Sequence, residues 1–251
     1  MTWELHLGDC IEGMRGLPDK SVDHVIADPP YSEHVHSKQW QGSALTSKGA
    51  ARCSTRFAEI GFSHLTADGR AALASSYARI ARRWVIVFCD LEGIAEWIAA
   101  LRGAGLDYAR SCIWDKVDSS PQFTGDRPAS AAECFVCAHP PGRKRWNAGG
   151  KRNVYRVPVN GNTGAKDHPT QKPLSLMRQL VADFTDPGEL ILDSHAGSGT
   201  TGAACIELGR NFVGWELDPK HHAIATKRLQ ETSRQEQMFK PQKQEQRRLS
   251  L

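Results

Sequence analysis

The chain alternates short, dense apolar runs with longer stretches of helical spacing. The first kind reads as strands and the second as helices. Trp3–Leu7, Val22–Ala27, Trp84–Cys89, Tyr108–Trp114, Glu133–Ala138, Glu189–Leu192 and Asn211–Trp215 are runs of strand length rich in β-branched and aromatic residues. Between them, Ile11–Leu17, Arg70–Arg82, Glu92–Arg102, Leu174–Phe184, Thr200–Leu208 and Pro219–Leu229 carry helical spacing. Pro18, the pair Gly103 and Gly105, and Pro187-Gly188 supply stops, and Asp68 is the expected N-cap of the second helix. Strands alternating with helices predict an α/β fold with a largely parallel sheet covered on both faces. Residues 32–66 lack sustained periodicity, and a loop that long is a functional candidate. The tail from Glu231, rich in Gln, Lys and Arg, is expected to be disordered. The organisation expected is one domain over residues 1–230, with loops 32–66 and 115–167 facing a polyanion, and a disordered polar tail over 231–251.

Composition narrows the class. With 251 residues, 40% of them hydrophobic, the chain can bury one full core. It has no apolar run of about 18 residues, so no membrane span or membrane partner is expected. Met1-Thr2-Trp3-Glu4 has neither the basic nor the apolar region of a secretory signal. Seven scattered cysteines point to a reducing cytoplasm, not to a disulfide framework. The net charge of +4 is unevenly spread: residues 139–172 hold eight Lys and Arg against Asp167 alone. A basic segment on a nearly neutral body suits a polyanion. Cys134, Cys137 and His139 have zinc-like spacing, but on a strand the two cysteines face opposite ways, so no metal is expected.

The chemistry concentrates in two places. Asp28-Pro29-Pro30-Tyr31 follows a buried strand. Two prolines stiffen the turn and remove two amide donors. A carboxylate, a rigid carbonyl and an aromatic face then sit together, a set suited to a planar ring bearing an exocyclic amine. Asp193-Ser194-His195-Ala196-Gly197-Ser198-Gly199-Thr200-Thr201-Gly202 is the second: a G-x-G-x-x-G turn between strand and helix, with Glu216 ending the next strand. By itself that turn also describes a nicotinamide site.

Together these motifs resemble those of the β group of DNA amino-methyltransferases, with the target-base loop preceding the glycine turn and the basic segment between. The resemblance covers roughly residues 3–229. It implies a permuted Rossmann-like, S-adenosylmethionine-dependent methyltransferase fold with inserted target-recognition loops, whose two loop-bearing strands lie side by side. It implies site-specific methylation of adenine N6 in flipped-out DNA bases, with cytosine N4 as the alternative, S-adenosylhomocysteine as product and no metal. Asp28, Pro29, Pro30 and Tyr31 take the catalytic place. Gly8-Asp9-Cys10 resembles the element that reads the cofactor's adenine, through Asp9 and Cys10. His168-Pro169-Thr170-Gln171-Lys172-Pro173 resembles the motif closing the cofactor pocket, with Thr170 and Lys172 meeting the methionine carboxylate. Asp193, His195, Gly197, Gly199, Thr200 and Glu216 complete the cofactor set, Asp193 for the ammonium and Glu216 for the ribose. The chain departs from the family's Asp-Pro-Phe-x-Gly-Ser-Gly-Thr pattern at Ser194 and His195; the Phe place packs near the methionine end of the cofactor.

The DNA contacts expected are Lys38, Arg52 and Arg56 in the first loop, and Arg143, Lys144, Arg145, Lys151 and Arg152 in the second. Further expected partners are double-stranded DNA, a second copy of the chain as in the family, and a sliding clamp. The clamp would be met through Gln235-Glu236-Gln237-Met238-Phe239 or Gln246-Arg247-Arg248-Leu249-Ser250-Leu251. The source would be bacterial or phage-encoded. The rival classes are a nicotinamide oxidoreductase, which has only the glycine turn and Glu216 in its favour, and a DNA-binding regulator with a decayed site, which the intact acidic residues oppose.

Overall fold

The computed structural model describes residues 1–31, 65–123, 125–159 and 171–239. Eight strands form one sheet in the order β1-β8-β7-β2-β3-β5-β4-β6. They are β1 (Trp3–Leu7), β2 (His24–Ala27), β3 (Val85–Cys89), β4 (Asp107–Asp115), β5 (Ala132–His139), β6 (Val154–Arg156), β7 (Leu190–Asp193) and β8 (Asn211–Glu216). The helices are α1 (Cys10–Arg15), α2 (Ala67–Ile80), α3 (Ile94–Gly103), α4 (Leu174–Phe184), α5 (Thr200–Glu207) and α6 (Pro219–Phe239).

Every residue of β2 and β3 is buried. Their unbroken apolar character follows from covering both faces of the sheet. Alternate residues serve opposite layers: Ile86 and Phe88 pack with Leu180 and Phe184 of α4, while Val85 and Val87 pack with Leu73 and Tyr77 of α2 and Trp97 of α3. Cys134 and Cys137 likewise fall into different layers. The sheet is parallel except at β5, which runs antiparallel to both β3 and β4.

β7 and β2 are parallel neighbours, and the helices after them, α5 and α2, pack on opposite faces. The sense in which the chain winds across the sheet therefore reverses between them. A crevice opens at such a switch point beyond the strands' carboxyl ends. Both motif-bearing loops leave the sheet there, as expected.

Three boundaries differ from expectation. The N-cap of α2 is Thr66, whose hydroxyl accepts from the Gly69 amide, so the helix starts before Asp68. β6 is too short to show periodicity; it exists because it pairs with β4 at the sheet edge. Helix α6 runs on to Phe239, well past the point where disorder was expected. Thr232 is buried and Ser233 Oγ accepts from Trp3 Nε1 at 2.8 Å, so tertiary contacts hold what composition alone would leave loose. The first clamp-like segment thus lies in a helix, and the second lies outside the described residues. Among the described residues no helix is long and apolar enough to cross a membrane.

Candidate active site

The β2 turn brings Asp28 and Tyr31 against residues from two distant elements. Tyr31 Oη lies 3.1 Å from Asp28 Oδ1 and 2.9 Å from Glu133 Oε2, so its one proton is shared between two carboxylates. Lys172 Nζ donates to Asp28 Oδ2 at 2.5 Å and to Tyr31 Oη at 3.1 Å, and it lies 3.1 Å from Glu133 Oε2. Its ammonium also sits 5.3 Å from the Tyr31 ring centroid and 5.2 Å from that of Phe88. Lys116 completes the group at 2.5 Å from Glu133 Oε1. Glu133 opens β5, and the reversed direction of that strand is what carries its carboxylate to the crevice end of the sheet.

Two carboxylates therefore share one central ammonium. Desolvation works against charge on Glu133, but Lys172 and Lys116 overcome it and hold the carboxyl at about 2. Burial pushes Asp28 up, with Lys172 opposing and Glu133 adding to the rise. Of the pair, Asp28 is thus the readier to accept a proton. Burial and both carboxylates hold the Tyr31 phenol far above its usual range, so it stays a donor. Lys172, first disfavoured by burial, is raised by Asp28 and Glu133 and stays charged.

Lys172 thus holds the Asp28–Tyr31 turn against Glu133, a contact the sequence did not assign it. Glu133 and Lys116 were not expected site residues. Both sit on elements aligned with the family, but nothing in local spacing shows that a strand start and a loop lysine reach Tyr31.

The cofactor half lies over β1, β8 and β7. Asp193 is buried, accepts from the His195 amide at 3.0 Å, and also bonds the Thr201 side chain. Burial raises it to about 7 against those bonds. Both Glu216 oxygens are held by backbone, one by the Gly197 amide and one by the Asp218 amide, each at 2.8 Å. A ribose would compete for a carboxylate already positioned. Asp9 caps α1 by accepting from the Glu12 amide at 2.9 Å. Thr200 and Ser198 accept from Arg228, which also reaches Gln171.

The residues present fit an elongated nucleoside cofactor. Gly8 (φ +142°) has nothing within 4 Å of where a Cβ would stand, and Gly197 (φ +54°) has only a carbonyl at 3.9 Å. Both border open space across the crevice. Gly199 and Gly202 do a different job: a Cβ there would press on Ala225 or Leu229, so they let α6 pack against the turn. His168 and Thr170 lie outside the described residues, as do Lys38, Arg52 and Arg56.

The basic segment sits away from the crevice. β5 runs away from the crevice, so the chain after His139 emerges at the other end of the sheet, roughly 20 Å from Glu133 at about 3.4 Å per residue. Arg145 pairs there with Asp186 at 2.6 Å and Glu189 at 2.5 Å, Lys144 with Asp107 at 3.1 Å, and Lys151 with Asp183 at 2.6 Å. A cavity of about 390 Å³ lined by Trp84, Trp146, Tyr155 and Phe184 lies at that end too, remote from Asp28. These cations mostly neutralise local carboxylates. Arg143→Glu with Lys144→Glu is therefore expected to leave the slope of log DNA affinity against log salt unchanged, because no phosphate contacts are lost. A flatter slope in filter binding would return this segment to the DNA surface.

A largely parallel α/β sheet with these two loops at its switch point has the architecture of an S-adenosylmethionine-dependent methyltransferase. The model of the N6/N4 DNA methylase family matches residues 22–227, and the chain belongs to that family. It is 27% identical over 246 residues to the type II methyltransferase M.HinfI of Haemophilus influenzae, covering 89% of this chain and 67% of that protein. It is 25% identical over 225 residues to the putative methylase YubD of Escherichia coli (strain K12), covering 88% of each. In structure it is similar to the M1.HpyAVI–SAM complex, with a TM-score of 0.66 at 23% identity over 91% of this chain and 99% of that one. It is also similar to the cytosine-N4-specific PvuII DNA methyltransferase, with a TM-score of 0.71 at 14% identity over 96% of this chain and 94% of that one. The chain is thus a DNA base-methyltransferase of the adenine-N6 or cytosine-N4 type.

Proposed function

We propose that the protein methylates adenine N6 in double-stranded DNA at a specific sequence. The observation that carries this reading is the Asp28 carboxylate at the crevice, adjoining Tyr31 and paired with Lys172. A carboxylate and the Pro29 carbonyl can together accept both protons of an exocyclic amine. The family's cytosine-N4 enzymes mostly carry Ser at the first place of this loop.

S-adenosylmethionine supplies a methyl group on a sulfonium, already reactive toward a nitrogen lone pair. Gly8, Cys10, His195 and Gly197 would line its nucleoside side, with Asp193 beneath. The protein's task is then mainly positioning. Asp28 orients the amine and, as the methyl leaves sulfur for nitrogen, stabilises the resulting cationic nitrogen until its extra proton passes to solvent. Tyr31, its hydroxyl tethered to Glu133, presents a ring of fixed orientation for the extruded base. Extrusion costs a few kcal/mol, and stacking of about 1–3 kcal/mol offsets part of it. Glu133 and Lys172 keep that arrangement rigid. The DNA would lie across the crevice end, where the β4–β5 connection carries Arg127 and the 80%-exposed Phe123.

Asp193 gives this reading a pH signature. Burial raises its carboxyl to about 7 against the bonds from Thr201 and His195. A cofactor ammonium beside it would lower it, so binding below neutral pH should release protons, more of them as the pH falls toward 6. Calorimetry in buffers of differing ionisation heat reads this directly; equal heats in all buffers would remove Asp193 from the ammonium site. Modification-sensitive sequencing of DNA from an expressing host tests the function itself. N6-methyladenine in one sequence context is expected. N4-methylcytosine in one context would establish the cytosine alternative instead.

A further inference from the structure

Behind the glycine turn, three side chains form a hydrogen-bonded line from the core to the crevice. Tyr77 Oη lies 2.6 Å from Ser194 Oγ, and Ser194 Oγ lies 2.8 Å from His195 Nδ1. His195 Nε2 ends the line 3.8 Å from Cys10 Sγ. Tyr77 and Ser194 are buried, whereas His195 and Gly197 are the partly exposed members of their turn.

Counting protons fixes the direction of this line. Tyr77 is fully buried, and Ser194 is its hydroxyl's partner among the described residues. Its proton must go to Ser194 Oγ, since a buried donor without an acceptor is costly. The single Ser194 proton is then free only for His195 Nδ1. Nδ1 becomes an acceptor, and in the neutral ring the hydrogen sits on Nε2. The opposite tautomer would leave either the phenol or the serine proton unsatisfied. An imidazolium is excluded by the same count, and burial, opposed by Asp9, holds the ring neutral down to about pH 4.

We propose that His195 presents a fixed Nε2–H donor to the purine of S-adenosylmethionine, with Tyr77 and Ser194 as the positioning residues that hold its tautomer. This rests on the cofactor reading above. The family pattern has Phe at this place, a ring with no donor. Nε2 stands beside Cys10, in the turn that resembles the adenine reader, so the donor faces the nucleoside and not the methionine end where the sequence placed it. A thiol is a weak acceptor. A purine ring nitrogen is a better one, and binding would exchange the first for the second.

Two measurements test this. Ring ¹⁵N spectra of the wild-type protein should show a protonated Nε2 and a bare Nδ1 for His195. Tyr77→Phe frees Ser194 to accept as well as donate, so its spectrum should show both tautomers. A wild-type ring protonated at Nδ1 would overturn the proposal. Calorimetric titration with S-adenosylhomocysteine should show His195→Phe weakening binding about tenfold, the worth of one buried hydrogen bond, and Tyr77→Phe weakening it about threefold. Tyr77→Phe should add nothing in the His195→Phe background. Unchanged affinity in His195→Phe, or effects that simply add, would show a structural support for the turn and sink the proposal. No binding by the wild-type protein would instead contradict the cofactor reading, a failure distinct from wild-type binding with indifferent variants.

Discussion

Asp28→Ala is expected to lower methyl transfer by more than about 100-fold, or about 2.7 kcal/mol in the barrier. The loss should fall on kcat, with the affinity for S-adenosylhomocysteine close to wild type. In the proposed reaction Asp28 meets the target amine only after both ligands are in place, so its removal would cost an interaction made on the way to the transition state. The fold should survive, because Lys172 keeps Glu133 as a partner at 3.1 Å and Tyr31 keeps its bond to the same residue at 2.9 Å. Single-turnover kinetics beside calorimetry separates the two terms. A variant keeping more than a tenth of wild-type turnover would take Asp28 out of the reaction.

Lys172→Met should be as damaging to activity and also destabilise the protein. The ammonium is largely buried, with 11% of its side chain exposed, and is ringed by Asp28, Glu133 and Tyr31. Removing it leaves two carboxylates facing one another without their shared cation. Breaking a buried pair in this way costs about 3–5 kcal/mol. The sign of the pH effect follows from the same geometry. Lys172 lowers the Asp28 carboxyl against the effects of burial and of Glu133. Without it, Asp28 should titrate higher, and the acid limb of the kcat profile should move to higher pH. Turnover lost at neutral pH should therefore return in part at alkaline pH. A profile scaled down with no shift would mean that Lys172 supports only the fold.

This network was half legible in the sequence. The β2 strand and its Asp-Pro-Pro-Tyr turn could be read directly, because an apolar run ending in an acidic, proline-stiffened turn is local information. The pairing of that turn with the glycine turn followed from motif order, and the adjacent β2 and β7 realise it. Lys172 was visible as a motif residue, but its direction was not. It depends on where Glu133 arrives, and that depends on β5 running antiparallel, which no periodicity reports. The same reversal explains the basic segment. Charge summed along the chain suggested one DNA-facing loop, yet β5 delivers residues 140–153 to the opposite end, where Asp183, Asp186 and Glu189 await them. Composition misled again at α6, whose polar outer half is tied down by Trp3. Tyr77 is a core residue, and the reach of its hydroxyl to Ser194 across 117 positions is a purely tertiary contact.

The central claim is that this crevice transfers a methyl group to the N6 of adenine in DNA. The most direct measurement incubates the protein with methyl-labelled S-adenosylmethionine and unmethylated duplex DNA, digests the DNA and separates the nucleosides. The account predicts label in N6-methyldeoxyadenosine, and none with Asp28→Ala. Label in N4-methyldeoxycytidine would contradict the assignment of the base, and an unlabelled digest from protein that binds both ligands would contradict the assignment of the reaction.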